Sequence, residues 1–205
     1  MFKKGENPNH PDKGCSLRTD PIREPRDIEK IKRRLAKEKD PRNLMLFILG
    51  INFGLRISDL IKLRVEDVKY LDPGETLSIR EQKTKKQQLI SINENAYRVI
   101  QDYIKFRNPD NNAWLFPSRK NRSQHLTTIA ASNLVKGWCS FIKKRDGGRY
   151  SSHSLRKTWA YQNRINFNVG WEVITKKLNH AGPAVTMRYL GIQDREVKEA
   201  EMNCI

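Results

Sequence analysis

The chain has 205 residues, enough for one domain with an ordinary apolar core. Lys and Arg number 40 against 23 Asp and Glu, a formal charge of +17, which favours a polyanionic partner: nucleic acid first, an anionic membrane surface second. No apolar run approaches the roughly 20 residues that span a bilayer. No apolar stretch follows the lysines of the opening MFKKGENPNHPDKG, so no signal peptide and no membrane partner are expected, and a cytoplasmic, nucleoid-associated protein is. Cys15, Cys139 and Cys204 are unevenly spaced without a Cys-x-x-Cys, and His10, His125, His153 and His180 lack metal spacing. A disulfide framework, a structural zinc site and a cofactor are not expected. Cys139 falls in an apolar phase and reads as a small core residue.

Residues 1–25 read as a basic arm, broken by Pro8, Pro11, Pro21 and Pro25. A first helix starts near Arg26 or Asp27, with Asp27 as N-cap and Ile28, Ile31 and Leu35 on one stripe. Asp40-Pro41 opens a second helix that runs to about Phe53, where Gly54 ends or bends it. Ser58 or Asp59 caps a third, over Ser58–Leu63, and Asp72-Pro73-Gly74 is a turn. The period then changes from helical to alternating. Thr76–Ile79 and Gln88–Ile92 read as a β-hairpin, with room for a third short strand, and its connection EQKTKKQ carries a lysine cluster.

Helical spacing resumes at Glu94 or Asn95, capped by Asn93. Arg107–Asn112 is loop, Trp114–Pro117 an apolar strap, and SRKNRSQH a basic loop whose default meaning is solvated surface. A long helix is expected over Thr128–Lys144, with Leu134, Val135, Trp138, Phe141 and Ile142 inward, stopped by Asp146-Gly147-Gly148. Further helices are expected over 152–166, capped by Ser151 or Ser152, and over Val169–Leu178. Gly182-Pro183 restarts the chain into the turn that carries Tyr189, and Asp194–Ile205 is a short helix candidate. The sum is a mainly α fold with a small antiparallel β-sheet, of the α+β class. Neither GxGxxG nor GxxxxGK[ST] occurs.

Two arginines, Arg56 and Arg156, lie in apolar helical contexts, where a charge is costly unless paired. Arg56 reads either as a structural ion pair with Asp59 or Glu66, or as a rigid anion clamp. A guanidinium fork matches phosphate oxygens in pairs. His153 and Arg156 share a helical face. Paired acidic residues of the two-metal kind are absent, so phosphate chemistry here would run on side-chain cations.

These residues carry a resemblance. GLRISDLIKL at Gly54–Leu63, EQKTKKQQLISI at 81–92, SHSLRKTWA at 152–160 and LNHAGPAVTMRYLGI at 178–192 resemble, in order and separation, the motifs of the tyrosine recombinases, the phage integrase family. The resemblance covers nearly all of the chain from about residue 25 and implies that family's catalytic-domain fold. It implies Tyr189 as a nucleophile that forms a 3′-phosphotyrosyl link to DNA, and Arg56 and Arg156 as the pair on the nonbridging oxygens. It implies Lys83 as general acid to the leaving 5′-oxygen, with Lys85 as its rival one register away. It implies His153 as helper in taking the tyrosine proton and His180 as a hydrogen-bonding group on the phosphate. Residue by residue, Tyr189 and His180 also read as core side chains, and His153 as a helix cap.

The expected organisation is an arm over 1–25, a catalytic domain over 26–192 and a tail over 193–205 that docks in cis or in trans. Many family members carry a further N-terminal helical clamp, for which this sequence leaves no room, so a stand-alone catalytic domain is expected. The function implied is site-specific recombination or integration on double-stranded DNA, as for a mobile element, by four protomers, with an accessory DNA-binding protein as a further partner. Type IB-like strand relaxation and a non-catalytic DNA-binding role stand as alternatives. An RNA-binding reading lacks sheet aromatics.

Overall fold

The computed structural model describes residues 19–140, 142, 148–191 and 201–202. Ten elements follow in order. They are α1 (Pro25–Leu35), α2 (Arg42–Phe53), α3 (Ile57–Leu60), β1 (Thr76–Arg80), β2 (Gln87–Ser91), α4 (Glu94–Arg107), α5 (Thr128–Trp138), α6 (Ser152–Asn166), α7 (Trp171–Leu178) and α8 (Pro183–Leu190). The fold is predominantly helical with a two-stranded antiparallel sheet.

Helix α2 is the central rod. Met45, Leu46, Phe47, Leu49 and Phe53 are all buried, so it is apolar around most of its circumference, as a helix surrounded by others must be. It packs against α1, α4 and α6. Close approach to α6 depends on Gly50, where an added Cβ would lie 2.5 Å from Leu155 Cδ1. The larger core also takes in Leu77 and Ile90 of the hairpin, Ile100 and Tyr103 of α4, and Val135 and Trp138 of α5. A smaller cluster joins Ala160, Ile174, Leu178 and Leu190, with Tyr189 packed against it.

Several boundaries differ from the sequence expectation. Helix α1 starts with Pro25 as its first residue, because proline's missing N–H and fixed φ suit that position. Asp27 therefore sits in the first turn rather than at the cap. Helix α2 starts at Arg42, and Asp40 Oδ1 accepts from the Arg42 N–H at 3.1 Å. Neither Ser58 nor Asp59 caps α3: its N-cap is Arg56, and the helix ends at Leu60. Helix α5 ends at Trp138, after Gly137 has weakened its last turn. Of the residues expected to prolong it to Lys144, Phe141, Lys143 and Lys144 lie outside the described ones. Helix α7 begins at Trp171, after Asn168 with its positive φ and the Gly170 N-cap.

Among the described residues no third strand joins the hairpin, and the strap at 114–117 makes only isolated bridges, Arg64 with Trp114 and Pro117 with His125. Other expectations hold in detail. Asn93 caps α4 by accepting from Ala96 N at 2.9 Å. Ser151 and Ser154 form a reciprocal capping box on α6. Cys139 is buried, and burial pushes its thiol up to about 12.

Residues Thr19–Glu24, at the end of the expected arm, form a strap across α6. Ile22 is buried, its N–H donates to Thr158 Oγ1 at 2.8 Å, and its carbonyl accepts from Gln162 at 2.9 Å. Residues 1–18 and most of the tail lie outside the described residues. No described helix is long and apolar enough to cross a membrane.

Candidate active site

The site begins where α2 ends. Gly54 closes the helix at φ 62°, in the left-handed region that glycine enters without a Cβ penalty. A Cβ there would lie 2.8 Å from Trp159 Cδ2 of α6, so the same glycine also lets α6 approach. Leu55 is buried, and Arg56 follows in extended conformation as the N-cap of α3. Its guanidinium turns toward the hairpin, where Nη1 lies 2.6 Å from Glu81 Oε1.

Glu81 stands at the end of β1 and is only 1% exposed. It faces a second arginine, with Arg156 Nη1 at 3.9 Å. Arg156 lies on α6, is 4% exposed, and donates through Nη2 to the Leu178 carbonyl at 2.7 Å. One buried carboxylate thus holds two guanidinium groups from separate elements, and the cluster retains net positive charge. Burial alone would raise the Glu81 pKa. Hydrogen bonds from Arg56 and Thr84, and the charges of Arg56 and Arg156, outweigh it and hold the carboxyl below its ordinary range. The sequence had offered Asp59 or Glu66 as the partner of Arg56; Asp59 instead accepts from the Gln82 N–H at 3.0 Å and docks the hairpin connection onto α3. Gln82 Nε2 donates to the Ser58 carbonyl at 3.2 Å and completes that joint.

The same connection carries the lysines. Lys83 is exposed, and its charge reaches His153, whose proton affinity it helps to lower. Lys85 has φ 60°, its N–H donates to the Glu81 carbonyl at 2.9 Å, and its own carbonyl accepts from Arg80 Nε at 3.0 Å. The Lys85 backbone forms the turn, whereas the charge of Lys83 bears on His153. Lys177 of α7 anchors the hairpin from the other side by donating to the Leu89 carbonyl at 3.1 Å. Burial, with the Arg156 charge, pushes Lys177 down to about 8.

His153 lies in the first turn of α6, where its N–H is held by Ser151 Oγ at 3.3 Å. Desolvation, then the charges of Arg156, Lys157, Arg56 and Lys83, hold its pKa below the ordinary histidine value. His180 follows Asn179, which ends α7 in the left-handed region. Its Nδ1 lies 3.0 Å from Thr186 Oγ1, and Thr186 is in turn 2.8 Å from Thr175 Oγ1, which fixes the ring. Burial and the Arg156 and Arg56 charges lower the His180 pKa.

Tyr189 lies in the last turn of α8, which starts on Pro183. Its ring meets the His180 ring edge to face, 5.0 Å between centroids. On another side Lys157 Nζ stands 4.6 Å from the ring centroid, while donating to the Thr19 carbonyl at 2.6 Å. Burial raises the Tyr189 pKa, and the Arg156 and Arg56 charges oppose the rise. The phenol is therefore neutral at rest, and both arginines bear on the phenolate that would form.

The six residues singled out by sequence thus come from five parts of the chain and converge electrostatically. Sequence reasoning missed Glu81 and Lys157. Glu81 lies inside the quoted hairpin motif, but a carboxylate at a strand end ordinarily reads as solvated. Lys157, beside Arg156, was read as part of the motif without a role, and a lysine only 3% exposed is recognised from packing alone.

The match to "Phage integrase family" covers residues 24–196. The chain is 34% identical over 180 residues to "Probable integrase/recombinase YoeC" of Bacillus subtilis (strain 168), covering 88% of this chain and 93% of that protein. It is 30% identical over 167 residues to "Tyrosine recombinase XerC" of Caldanaerobacter subterraneus subsp. tengcongensis, covering 80% of this chain but 44% of that protein. In three dimensions it resembles the XerH site-specific recombinase bound to a palindromic difH substrate, with a TM-score of 0.70 at 17% identity, over 89% of this chain and 51% of that one. The fold, the spacing of the motifs and these similarities lead to one conclusion: the chain belongs to the phage integrase family and is a tyrosine recombinase with that family's catalytic-domain fold.

Proposed function

We propose that this chain cuts and rejoins double-stranded DNA at specific sites through a covalent bond between Tyr189 and a 3′-phosphate. The observation that carries the proposal is the buried Arg156 and the half-buried Arg56 gathered on Glu81, with their charge acting on the Tyr189 hydroxyl. The Tyr189 oxygen attacks phosphorus, the bond to the 5′-oxygen breaks, and a 5′-hydroxyl leaves. His153, kept neutral at pH 7 by desolvation and then by the cations around it, takes the phenolic proton. Lys83 protonates the leaving oxygen, a role better suited to its place than to that of Lys85, whose backbone forms the turn.

Arg56 and Arg156 stabilise the nonbridging oxygens as charge accumulates in the transition state. Glu81 and the Leu178 carbonyl aim them, so little reorganisation is needed at that moment. His180, steadied by Thr186, donates through its remaining ring nitrogen to the same phosphate. Rejoining reverses these roles with the 5′-hydroxyl of another strand. The bond energy is kept in the phosphotyrosine, so rejoining needs no external energy source. Each protomer cuts one strand, so strand exchange takes four protomers on two DNA sites. The organisation proposed is an arm over 1–25, whose residues Thr19–Glu24 lie across α6, a catalytic domain over 26–192 and a tail over 193–205 that docks in cis or in trans.

The test is a nicked duplex suicide substrate drawn from the DNA flanking the gene, incubated with wild type and with Tyr189→Phe and resolved on a denaturing gel. A protein–DNA band in wild type alone is expected. Binding without such a band, on flanking and random DNA alike, would support an accessory binder instead. Relaxation of supercoiled plasmid without strand exchange would favour the type IB-like alternative.

A further inference from the structure

A second cationic centre lies at the opposite end of α2. The helix has 12 residues, which at about 1.5 Å each separates Arg42 at its start from the Arg56 end by roughly 18 Å. There, a cavity of about 350 Å³ is lined by Arg42, Arg107, Arg119 and Arg122, together with Asp40 and Tyr103. The remaining carboxylate on its wall is Asp110, so four guanidinium groups face two aspartates.

Arg42 is only 3% exposed. Its Nη1 donates to the Pro117 carbonyl at 2.9 Å and its Nη2 to Asn43 Oδ1 at 3.0 Å, but its buried Nε–H has no acceptor. A buried donor left in that state is a cost that a bound acceptor would remove. Arg107 is paired with Asp40 at 2.5 Å. Arg119 and Arg122 stand on the basic loop after Pro117, and neither has a carboxylate partner among the described residues. The Arg119 charge is close enough to lower the proton affinity of Arg42, after burial, and Arg122 bears likewise on Tyr103. Like charges held this close around a cavity call for an anion.

The lining also indicates which kind. Arg64 stacks on the Trp114 indole, 4.1 Å from its centroid, and His125 meets the same ring edge to face at 5.1 Å. The one indole on the wall is therefore already engaged, and the pocket offers charge and N–H donors rather than a shelf for a nucleobase. Guanidinium forks arriving from α2, α4 and the loop match the several oxygens of a tetrahedral phosphoryl group better than one planar carboxylate.

We propose that this pocket is a phosphoryl-anion site, separate from the cleavage centre, which takes either a backbone phosphate of DNA or a free phosphate. The experiment titrates inorganic phosphate at low ionic strength into Tyr189→Phe protein, by calorimetry, with and without Arg119→Ala/Arg122→Ala. The two loop arginines are exposed, so the fold should survive, and the melting temperature checks this. A control, Arg98→Ala/Lys105→Ala, removes the same charge from the exposed face of α4. Saturable phosphate binding that weakens by about tenfold or more in the loop variant, and much less in the control, is expected.

A parallel titration with uncleaved duplex identifies the source. A selective loss of DNA affinity, with a shallower salt dependence than the control, assigns the pocket to the DNA backbone. Unchanged DNA affinity assigns it to a free phosphate. Absence of saturable phosphate binding in the unaltered pocket, or equal weakening in loop variant and control, overturns the proposal. None of these readouts requires cleavage, so failure here leaves the assignment of Tyr189 untouched.

Discussion

Helix α2 has an arginine pair at each end, and the two pairs are built differently. At its C-terminal end Arg56 and Arg156 share Glu81, which is 1% exposed, and neither arginine reaches its partner without the hairpin and α6 in place. At its N-terminal end Arg107 reaches Asp40 across a half-exposed gap, with side chains 30% and 26% exposed, and Arg42 is satisfied mainly by a carbonyl and an amide. Among the described residues the first pair has Tyr189, His153 and His180 in its electrostatic reach, whereas the second has Tyr103 on its cavity wall and no histidine there. On the mechanism proposed above, clustering arginines does not by itself make a strand-cutting site; a nucleophile whose developing charge falls under rigidly held guanidinium groups does.

The largest expected effect separates chemistry from binding. Arg156→Ala should reduce single-turnover cleavage by about 10²–10³, as loss of a transition-state donor does, while gel-shift affinity for DNA weakens only modestly. Equal losses in both would mean that Arg156 serves binding. The carboxylates come next. Glu81→Ala leaves the buried Arg156 and the half-buried Arg56 facing each other without a counter-charge and should cost about 3 kcal/mol in urea unfolding. Asp40→Ala breaks a part-exposed pair and should cost about 1 kcal/mol or less. Similar values for the two would mean that the two ends of α2 hold their arginines alike.

Acid should expose the same difference. The Glu81 carboxyl is held below its ordinary 4.5, so its contribution is fully present above that value and is lost as pH falls through the lower folded value. Acid unfolding of wild type should show this loss, and Glu81→Gln should remove it. His153 has the opposite charge logic. Its pKa is lowered from 6.5 by desolvation and neighbouring cations, so it stays a neutral proton acceptor through pH 7. Cleavage should decline only as pH falls below the ordinary histidine range, and His153→Gln should flatten that acid limb in a single-turnover pH profile.

Smaller effects test the joint between α2 and the arginine. Gly54→Ala forces a left-handed backbone and a contact at 2.8 Å from Trp159, which should cost about 1–3 kcal/mol by denaturant unfolding and slow cleavage through Arg56. Lys85→Gly should do the reverse on a lesser scale. It relieves a positive φ at an exposed turn, should stabilise by up to about 1 kcal/mol, and should leave cleavage near wild type if Lys83 is the acid.

Much of this molecule is written in local sequence. The helix stripes, the Asn93 and Ser151 caps, the Asp72-Pro73-Gly74 turn and the hairpin follow from spacing and from backbone preferences that involve only neighbours. The order of four short motifs identified Arg56, Lys83, His153, Arg156, His180 and Tyr189 as candidates. Helix ends were less legible: the cap of α3 is set by how Arg56 leaves Gly54, and the end of α5 by a single weak turn.

What only the tertiary structure decided is who satisfies whom. A buried guanidinium requires a partner, but the requirement does not say which of the chain's carboxylates will arrive. Asp59 and Glu66 were near in sequence, yet Glu81 was brought to Arg56 by the docking of the hairpin on α3. The cation over the Tyr189 ring and the four arginines around one cavity are likewise unwritten in any local pattern. Sequence spacing fixes which residues share a face; long-range packing, paid in chain entropy, fixes which faces meet.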